Sequence, residues 1–378
     1  MNKKILTLAV AGAIVGGMGV AQADVTVYGK AHVSIDSMNV DLGAGVPYAN
    51  DGNLVVANNS SRLGFKFSED VGGGFIKKVM GQYEASVTID GEDSENSTTA
   101  PNPSATTTGI FGGAIRNSFL GVETGGGSLL AGIHDTPFKI VGRNVELFPE
   151  QLGDSRNLIS AGGAGWDLRP TNVVAYASPS MAGVSVMAVW VADASTGANT
   201  DNNDETAVSA SVAYKGGPLY VALAYEKHDS NILSAATGNE DETGMRLVGS
   251  GTFGMFKVVA LYQQLADING ASGADRSTWG LGGAVTLAEK HVIKAQYYNA
   301  DPTDGVATDD GATMYALGYD YKLSKKTTTY VSYAMTSNDP GASFTVNSGG
   351  HGDTFSTSGG AFNNADVSGL SAGLIMDF

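Results

Sequence analysis

Apolar and polar residues alternate with a period of two along most of this chain, and the connections between the alternating segments themselves alternate, short then long. In VTVYGKAHVSID (25–36), Val25, Val27, Gly29, Ala31, Val33 and Ile35 share one parity, and Thr26, Tyr28, Lys30, His32, Ser34 and Asp36 the other. That is the pattern of a strand with two unlike faces. VMGQYEASVTI (79–89) sets Val79, Tyr83, Val87 and Ile89 against Gln82, Glu84, Ser86 and Thr88, and TWGLGGAVTL (278–287) puts Trp279, Leu281, Val285 and Leu287 on one side. KVVALYQQ (257–264) is less clean, and its facing stays open.

Sixteen such segments are centred near 30, 64, 82, 118, 131, 174, 187, 210, 223, 248, 260, 282, 295, 318, 331 and 372. Seven short links join them at 71–74, 125–127, 180–183, 215–218, 253–254, 288–290 and 324–326. Eight long polar segments lie between these, at 37–59, 90–112, 137–168, 193–205, 229–243, 267–277, 301–312 and 338–366. No span reads as a helix of ordinary length. Short turns at one end and long loops at the other describe an all-β, 16-stranded antiparallel transmembrane β-barrel of the bacterial outer membrane. About 9–11 residues suffice for each crossing, and closure leaves no unpaired edge in hydrocarbon. A secreted β-sandwich or β-solenoid expects both kinds of link at both ends of its sheets. Barrels of about eight strands fill their interior with side chains, whereas 16–18 leave an aqueous channel. The expectation is a pore.

The first 23 residues stand apart. MNKK is a basic start, ILTLAVAGAIVGGMGV an apolar and small-residue stretch, and AQA at 21–23 has the small residues of a cleavage site. Residues 1–23 read as a signal peptide and 24–378 as one barrel domain. No later apolar run approaches the ~20 residues of a spanning helix; VSVMAVWVA (184–192) is typical of the longest. Loss of Lys3 and Lys4 with the signal takes the formal charge from −16 to −18. Such an acid excess argues against nucleic acid as a partner. With no cysteine there is no disulfide framework or thiolate chemistry.

Several stretches resemble the general bacterial porins, trimeric diffusion channels, and most of all the Neisseria-like and Burkholderia-like branch. They are VTVYGKAHVSID, SRLGFKFSEDVGGGF (61–75), RNSFLGVETGGGSLLAGIHDTPF (116–138), RPTNVVAYASPSMAGVSV (169–186) and the terminal phenylalanine. GLIMDF departs from the pattern, with Asp377 where these porins often carry basic residues. The resemblance implies short periplasmic turns, long extracellular loops, and a third loop, 137–168, folded into the lumen. Within it, VELFPEQLGDSRN (145–157) supplies Glu146, Glu150 and Asp154 as the acidic side of a constriction. Parity puts Lys30, Arg62 and Lys66 on the lumenal face, and Arg116 and Arg169 stand where the family carries lumen-facing arginine. A carboxylate loop opposite a cationic wall makes a transverse field across the pore.

The implied function is passive diffusion of ions and small hydrophilic solutes, with a weak preference for cations. The alternatives are a substrate-selective or anion-preferring porin of the same fold, or a barrel adhesin or enzyme. A homotrimer is implied, with 90–112 as its latch. The last strand, GLSAGLIMDF, pairs with 25–36, directing Leu370, Leu374, Met376 and Phe378 to lipid and Ser371 and Asp377 to the lumen. Phe378 resembles the signal read by the outer-membrane assembly machinery.

The other features point to no catalytic centre. His32, His134, His228, His291 and His351 have no metal-ligand spacing. No serine sits in a nucleophile elbow, and VGGGF and TGGGS lack the continuation of a phosphate loop. No cofactor is expected. The acidic loops 193–207 and 301–312 could hold Ca²⁺ or Mg²⁺ weakly and bridge lipopolysaccharide phosphates. Phe75, Phe138, Tyr220, Phe253, Phe256 and Tyr330 suit interfacial aromatic girdles.

Overall fold

The computed structural model describes residues 24–42, 52, 54–87, 89, 114–160, 165–192, 206–230, 240–347, 350–352 and 364–378. Residues 1–23, the segment 90–112 and the acidic loop 193–205 lie outside them. Seventeen strand segments form one sheet: β1 Asp24–Asp41, β2 Leu54–Asn58, β3 Arg62–Asp70, β4 Ile76–Ser86, β5 Ser118–Thr124, β6 Gly127–Ile133, β7 Val173–Ala177, β8 Val184–Val191, β9 Ala207–Gly216, β10 Leu219–His228, β11 Glu242–Phe253, β12 Phe256–Ala266, β13 Arg276–Leu287, β14 His291–Ala300, β15 Ala312–Lys322, β16 Thr327–Asn338 and β17 Asp366–Asp377. Every expected strand centre falls inside one of them.

β2 and β3 are two lengths of a single stave, both antiparallel to β1, so the wall has sixteen strands. Between the pairs Val33↔Asn58 and Lys30↔Arg62, β1 has two residues and its partner three. The extra residue makes a bulge, with Ser60 at φ 52°, and Ser61 Oγ accepts from the His32 amide at 2.9 Å. Closure follows the expected seam, with Lys30 through Asp41 opposite Asp377 through Asp366. Gly254 (φ 60°) takes the left-handed backbone of the two-residue turn between Phe253 and Phe256.

Alternation gives the wall its two faces. On β10, Val221, Leu223 and Tyr225 are exposed outward while Ala222, Ala224 and Glu226 are buried inward. On β17, Leu370, Leu374, Met376 and Phe378 face out and Ser371 faces in. The main apolar core lies inside the barrel. Phe138, Val145, Phe148, Leu152, Leu158 and Trp166 of the long connection after β6 pack against Met38, Ala222, Val259, Leu261, Met314 and Ala334 of the wall.

This explains the open facing of 257–264. Val259 and Leu261 are buried under the inserted loop while Val258 and Tyr262 face outward, so both parities are apolar. The girdle expectation is corrected in the same way. Phe75, Phe253 and Phe256 are exposed. Phe138 and Tyr330 are buried inside, and Tyr220 turns inward to accept from Asn144 Nδ2 at 2.9 Å. The described part of the last long connection also turns inward. Val346 O accepts from Gly153 N at 2.8 Å, and His351 Nε2 lies 3.0 Å from Asp36 Oδ2.

Candidate functional site

The loop between β6 and β7 enters the barrel on a short helix, α1 (Pro137–Arg143). Thr136 caps it, its hydroxyl accepting from Lys139 N at 3.3 Å, and Pro137 occupies the first turn, where no amide partner is needed. A second turn, α2 (Arg156–Ile159), follows the loop tip. Glu146 organises the tip from within. Its carboxylate accepts from Phe148 N at 2.6 Å, Ser155 N at 2.9 Å and the Ser155 hydroxyl, and from Gln296 Nε2 of β14 at 3.1 Å. Burial and the nearby Asp154 push its pKa up.

Small wall residues make room for this loop. A Cβ on Gly318 would come within 2.7 Å of Phe148, and one on Gly369 within 2.8 Å of Leu152. Gly153 (φ 81°) lies against Ala316 and Ala334, so close that a Cβ would come within 2.6 Å of Ala316. Lys294 of β14 donates to the Leu147 carbonyl at 3.0 Å and to Gln151 Oε1 at 2.9 Å, with its ammonium 4.5 Å from the Phe148 ring centroid.

The three expected acids do not face open water. Glu150 Oε2 lies 2.7 Å from Lys30 Nζ, Oε1 lies 2.9 Å from Arg62 Nη1, and Arg143 approaches to 3.7 Å. Asp154 is bound by Arg143 at 2.9 Å and Arg156 at 2.8 Å, and caps the Glu150 amide at 2.8 Å. Burial alone would raise the pKa of Glu150, but Arg62, Lys30 and Arg143 outweigh it and hold this carboxylate well below its usual range. Arg156 and Arg143 likewise overcome burial and lower that of Asp154.

The recess beside the loop is lined by Arg62, Arg116, Lys139, Arg143, Arg156 and Arg169, with Glu84, Asp135 and Glu150 between them. Side-chain exposure is 20% for Arg62 and 24% for Arg143, against 6% for Glu150 and 0% for Asp154. Arg62 and Arg143 therefore reach the water ahead of Glu150 and Asp154, whereas Asp135, at 19%, is more open than the cations it pairs with. Arg116 Nε binds Glu84 at 2.7 Å, and Tyr28 donates to the same carboxylate at 2.7 Å. Asp135 bridges Arg169 at 2.9 Å and Lys139 at 3.0 Å. Burial opposes ionisation of Asp135, but Arg169 and Lys139 hold its pKa well below the ordinary value. Burial lowers that of Lys139 to about 8 despite Asp135.

Of the expected wall residues, Lys30, Arg62, Arg116 and Arg169 gather here. Lys66 does not. Its ammonium sits 4.7 Å over the Tyr28 ring, beyond Arg62 toward the short-turn end, because a strand displaces it from Arg62 by four residues. Glu84, Asp135, Lys139, Arg143 and Arg156 were not expected. Lys139 and Arg143, spaced i,i+4 in the singled-out segment, were the available signal. In the acidic loop 301–312, Asp310 is engaged by Arg276 at 2.5 Å and by the Thr303 hydroxyl at 2.9 Å. Among the described residues no group of three or more acids and histidines is arranged to hold a metal ion.

A profile of the family described as "Gram-negative porin" matches residues 7–341. "Outer membrane porin protein 32" of Delftia acidovorans is 26% identical over 358 residues, spanning 89% of this chain and 90% of that protein. "Major outer membrane protein P.IB" of Neisseria lactamica is 25% identical over 356 residues, spanning 92% and 96%. Among solved structures, an "Anion-selective porin from Comamonas acidovorans" aligns with a TM-score of 0.73 at 21% identity, covering 94% of this chain and 100% of that one. The trimer form of OmpT, an outer-membrane protein of Vibrio cholerae, aligns at 0.61 and 17% identity, covering 94% and 99%. A closed sixteen-stranded barrel, an inserted loop and a charged recess beside it thus accompany a profile match over most of the sequence, and this chain belongs to the Gram-negative porin family, the channels of the outer membrane for small solutes.

Proposed function

We propose that this porin is a passive channel with a preference for small anions. The observation that carries this reading is the charge of the passage lining, six cations against three carboxylates, with Asp154 withdrawn behind Arg143 and Arg156. Low-dielectric walls focus the field of such a cluster along the passage, so fixed charge at the narrowest section outweighs charge further out. The solved porin from Comamonas acidovorans, described as anion-selective, supports the same reading.

The expectation of weak cation preference rested on Glu146, Glu150 and Asp154 facing the passage; of these Glu150 alone is in the lining, and there it is paired with Lys30 and Arg62, which weakens that basis. The formal charge of −16 still favours it, because acidic loops at the mouth concentrate cations there. Reversal potentials in planar bilayers under a potassium chloride gradient separate the two. A chloride-directed potential supports the anion reading, and a potassium-directed one sinks it.

The working unit in this reading is a homotrimer, in keeping with the trimeric form described for the Vibrio cholerae relative. It sits among lipopolysaccharide, delivered by the assembly machinery through Phe378. Three equal conductance steps per insertion are the check on the trimer.

A further inference from the structure

Arg246 stands on β11, wholly buried and away from the passage lining. Its guanidinium gathers both ends of the inserted loop. Nη1 donates to the Phe138 carbonyl at 2.9 Å, in the first turn of α1, and to Asp167 Oδ1 at 2.5 Å, beyond α2. Nη2 reaches the Ile159 carbonyl at 3.4 Å. Nε and Nη2 both donate to Gln263 Oε1 on β12, at 2.8 and 2.5 Å, while Gln263 Nε2 donates to the same Ile159 carbonyl at 2.9 Å. The guanidinium carbon lies 4.0 Å from the Phe138 ring centroid.

Few side chains could do this. Only the planar five-donor fork of arginine addresses several acceptors at once from one fixed plane. The backbone is cut to fit it. A Cβ on Gly142 of α1 would come within 2.7 Å of Nη1, and one on neighbouring Gly244 within 2.5 Å of Trp166.

We infer that Arg246 is a positioning residue of the channel, a clasp that pulls the two ends of the loop together and thereby fixes the aperture on its far edge. The inference rests on the reading that Arg143 and Arg156 border the narrowest passage. Lys30 and Arg62 hold only the loop tip, through Glu150. Arg143 and Arg156 lie between that tip and the two ends that Arg246 holds. Releasing the ends frees both arginines to move while the barrel wall stays closed.

The test compares Arg246→Met, Arg246→Lys and Gly142→Ala in planar bilayers, using barrels that keep the heat-modifiable gel mobility of the folded wild type. Arg246→Met is expected to raise open-channel current noise, to lower the voltage at which the channel closes, and to lose most of the wild-type ion preference. Arg246→Lys recovers part of that loss, and Gly142→Ala reproduces it with the arginine retained. If Arg246→Met gives no folded barrel, Gly142→Ala and Asp167→Asn carry the test, each expected to shift noise in the same direction. Folded variants with wild-type noise, closing voltage and reversal potential overturn the clasp. If Arg143→Gln moves the reversal potential while the clasp variants do not, only the clasp fails. If neither moves it, the reading of the passage fails as well.

Discussion

Lys30 Nζ, on the first wall strand, lies 2.7 Å from Glu150 Oε2 at the tip of the inserted loop. The contact ties a loop carboxylate directly to the basic wall, so no gap remains there for a field to cross. Loop and wall meet on the side of β1 and β3, and the charged recess lies between the helical edge of the loop and the wall around Glu84, Arg116 and Arg169.

Glu150→Gln is expected to destabilise the seated loop, since breaking a buried ion pair by removing one partner costs about 3–5 kcal/mol. It also strips a negative charge from between Lys30, Arg62 and Arg143, so chloride preference rises. Reversal potential and thermal denaturation in detergent read the two effects. The depressed pKa of Glu150 makes its contribution fully present above the unfolded carboxyl value, and lost only as pH falls through the lower folded one. Wild-type conductance is therefore expected to hold down to about pH 5; a collapse of conductance above that would contradict the pairing.

Arg143→Gln changes preference in the opposite direction. It removes a water-facing cation and one of two arginines on Asp154, leaving Arg156 in place. The expected stability cost is about 2 kcal/mol, with a reversal potential shifted toward that of potassium. An unchanged reversal potential in a folded variant would remove Arg143 from the passage.

Lys139 carries the pH dependence. Burial disfavours its charge and brings its pKa to about 8, with Asp135 partly resisting and Arg169 and Arg156 adding to the depression. Raising pH through that value discharges one of the lining cations. Chloride preference is thus expected to weaken between about pH 7 and 9, and Lys139→Met to flatten this profile. A pH-independent wild type across that range would refute the assignment.

Phe378 is tied to the first strand by main-chain hydrogen bonds to Gly29, at 3.2 and 3.0 Å, and its ring covers Gly29 so closely that a Cβ there would come within 2.3 Å. An aromatic over a glycine is a known way of pinning register. Phe378→Ala keeps the main-chain pair and removes the ring. It is expected to lower assembly yield in cells while leaving refolding in detergent near normal. Gly29→Ala, which disturbs the ring but keeps the terminal phenylalanine, is expected to impair both. Equal cellular yield for Phe378→Ala and the wild type would leave Phe378 without an assembly role.

The strand positions were legible because a wall between lipid and water forces unlike neighbours along each strand. Legibility failed where the inside is not water. Val259 and Leu261 look like lipid-facing residues but lie beneath the loop, and Phe138 reads as a girdle aromatic for the same reason, while Tyr330 turns inward onto His32 and Gly373 of the wall. The acids of 145–157 were recognisable as a cluster, yet parity carries no information about a loop. Their partners come from β1, β3, β14, α1 and α2. Arg246 left no trace, because two of its acceptors are main-chain carbonyls that any residue provides and the other two, Asp167 and Gln263, stand on other segments of the chain.

The apolar seat of the loop divides the barrel into two materials. From β10 round to β17 the inner face carries the apolar residues on which the loop packs, while the charged recess lies against β3 and β4 and the ends of the connections flanking β5 and β6. Changes to the apolar side chains of the first arc act on how the loop is seated, and changes to the charges of the second act on what the recess admits. The charges at the recess can therefore be altered without repacking the apolar seat, at the expense only of the ion pairs that hold the loop tip.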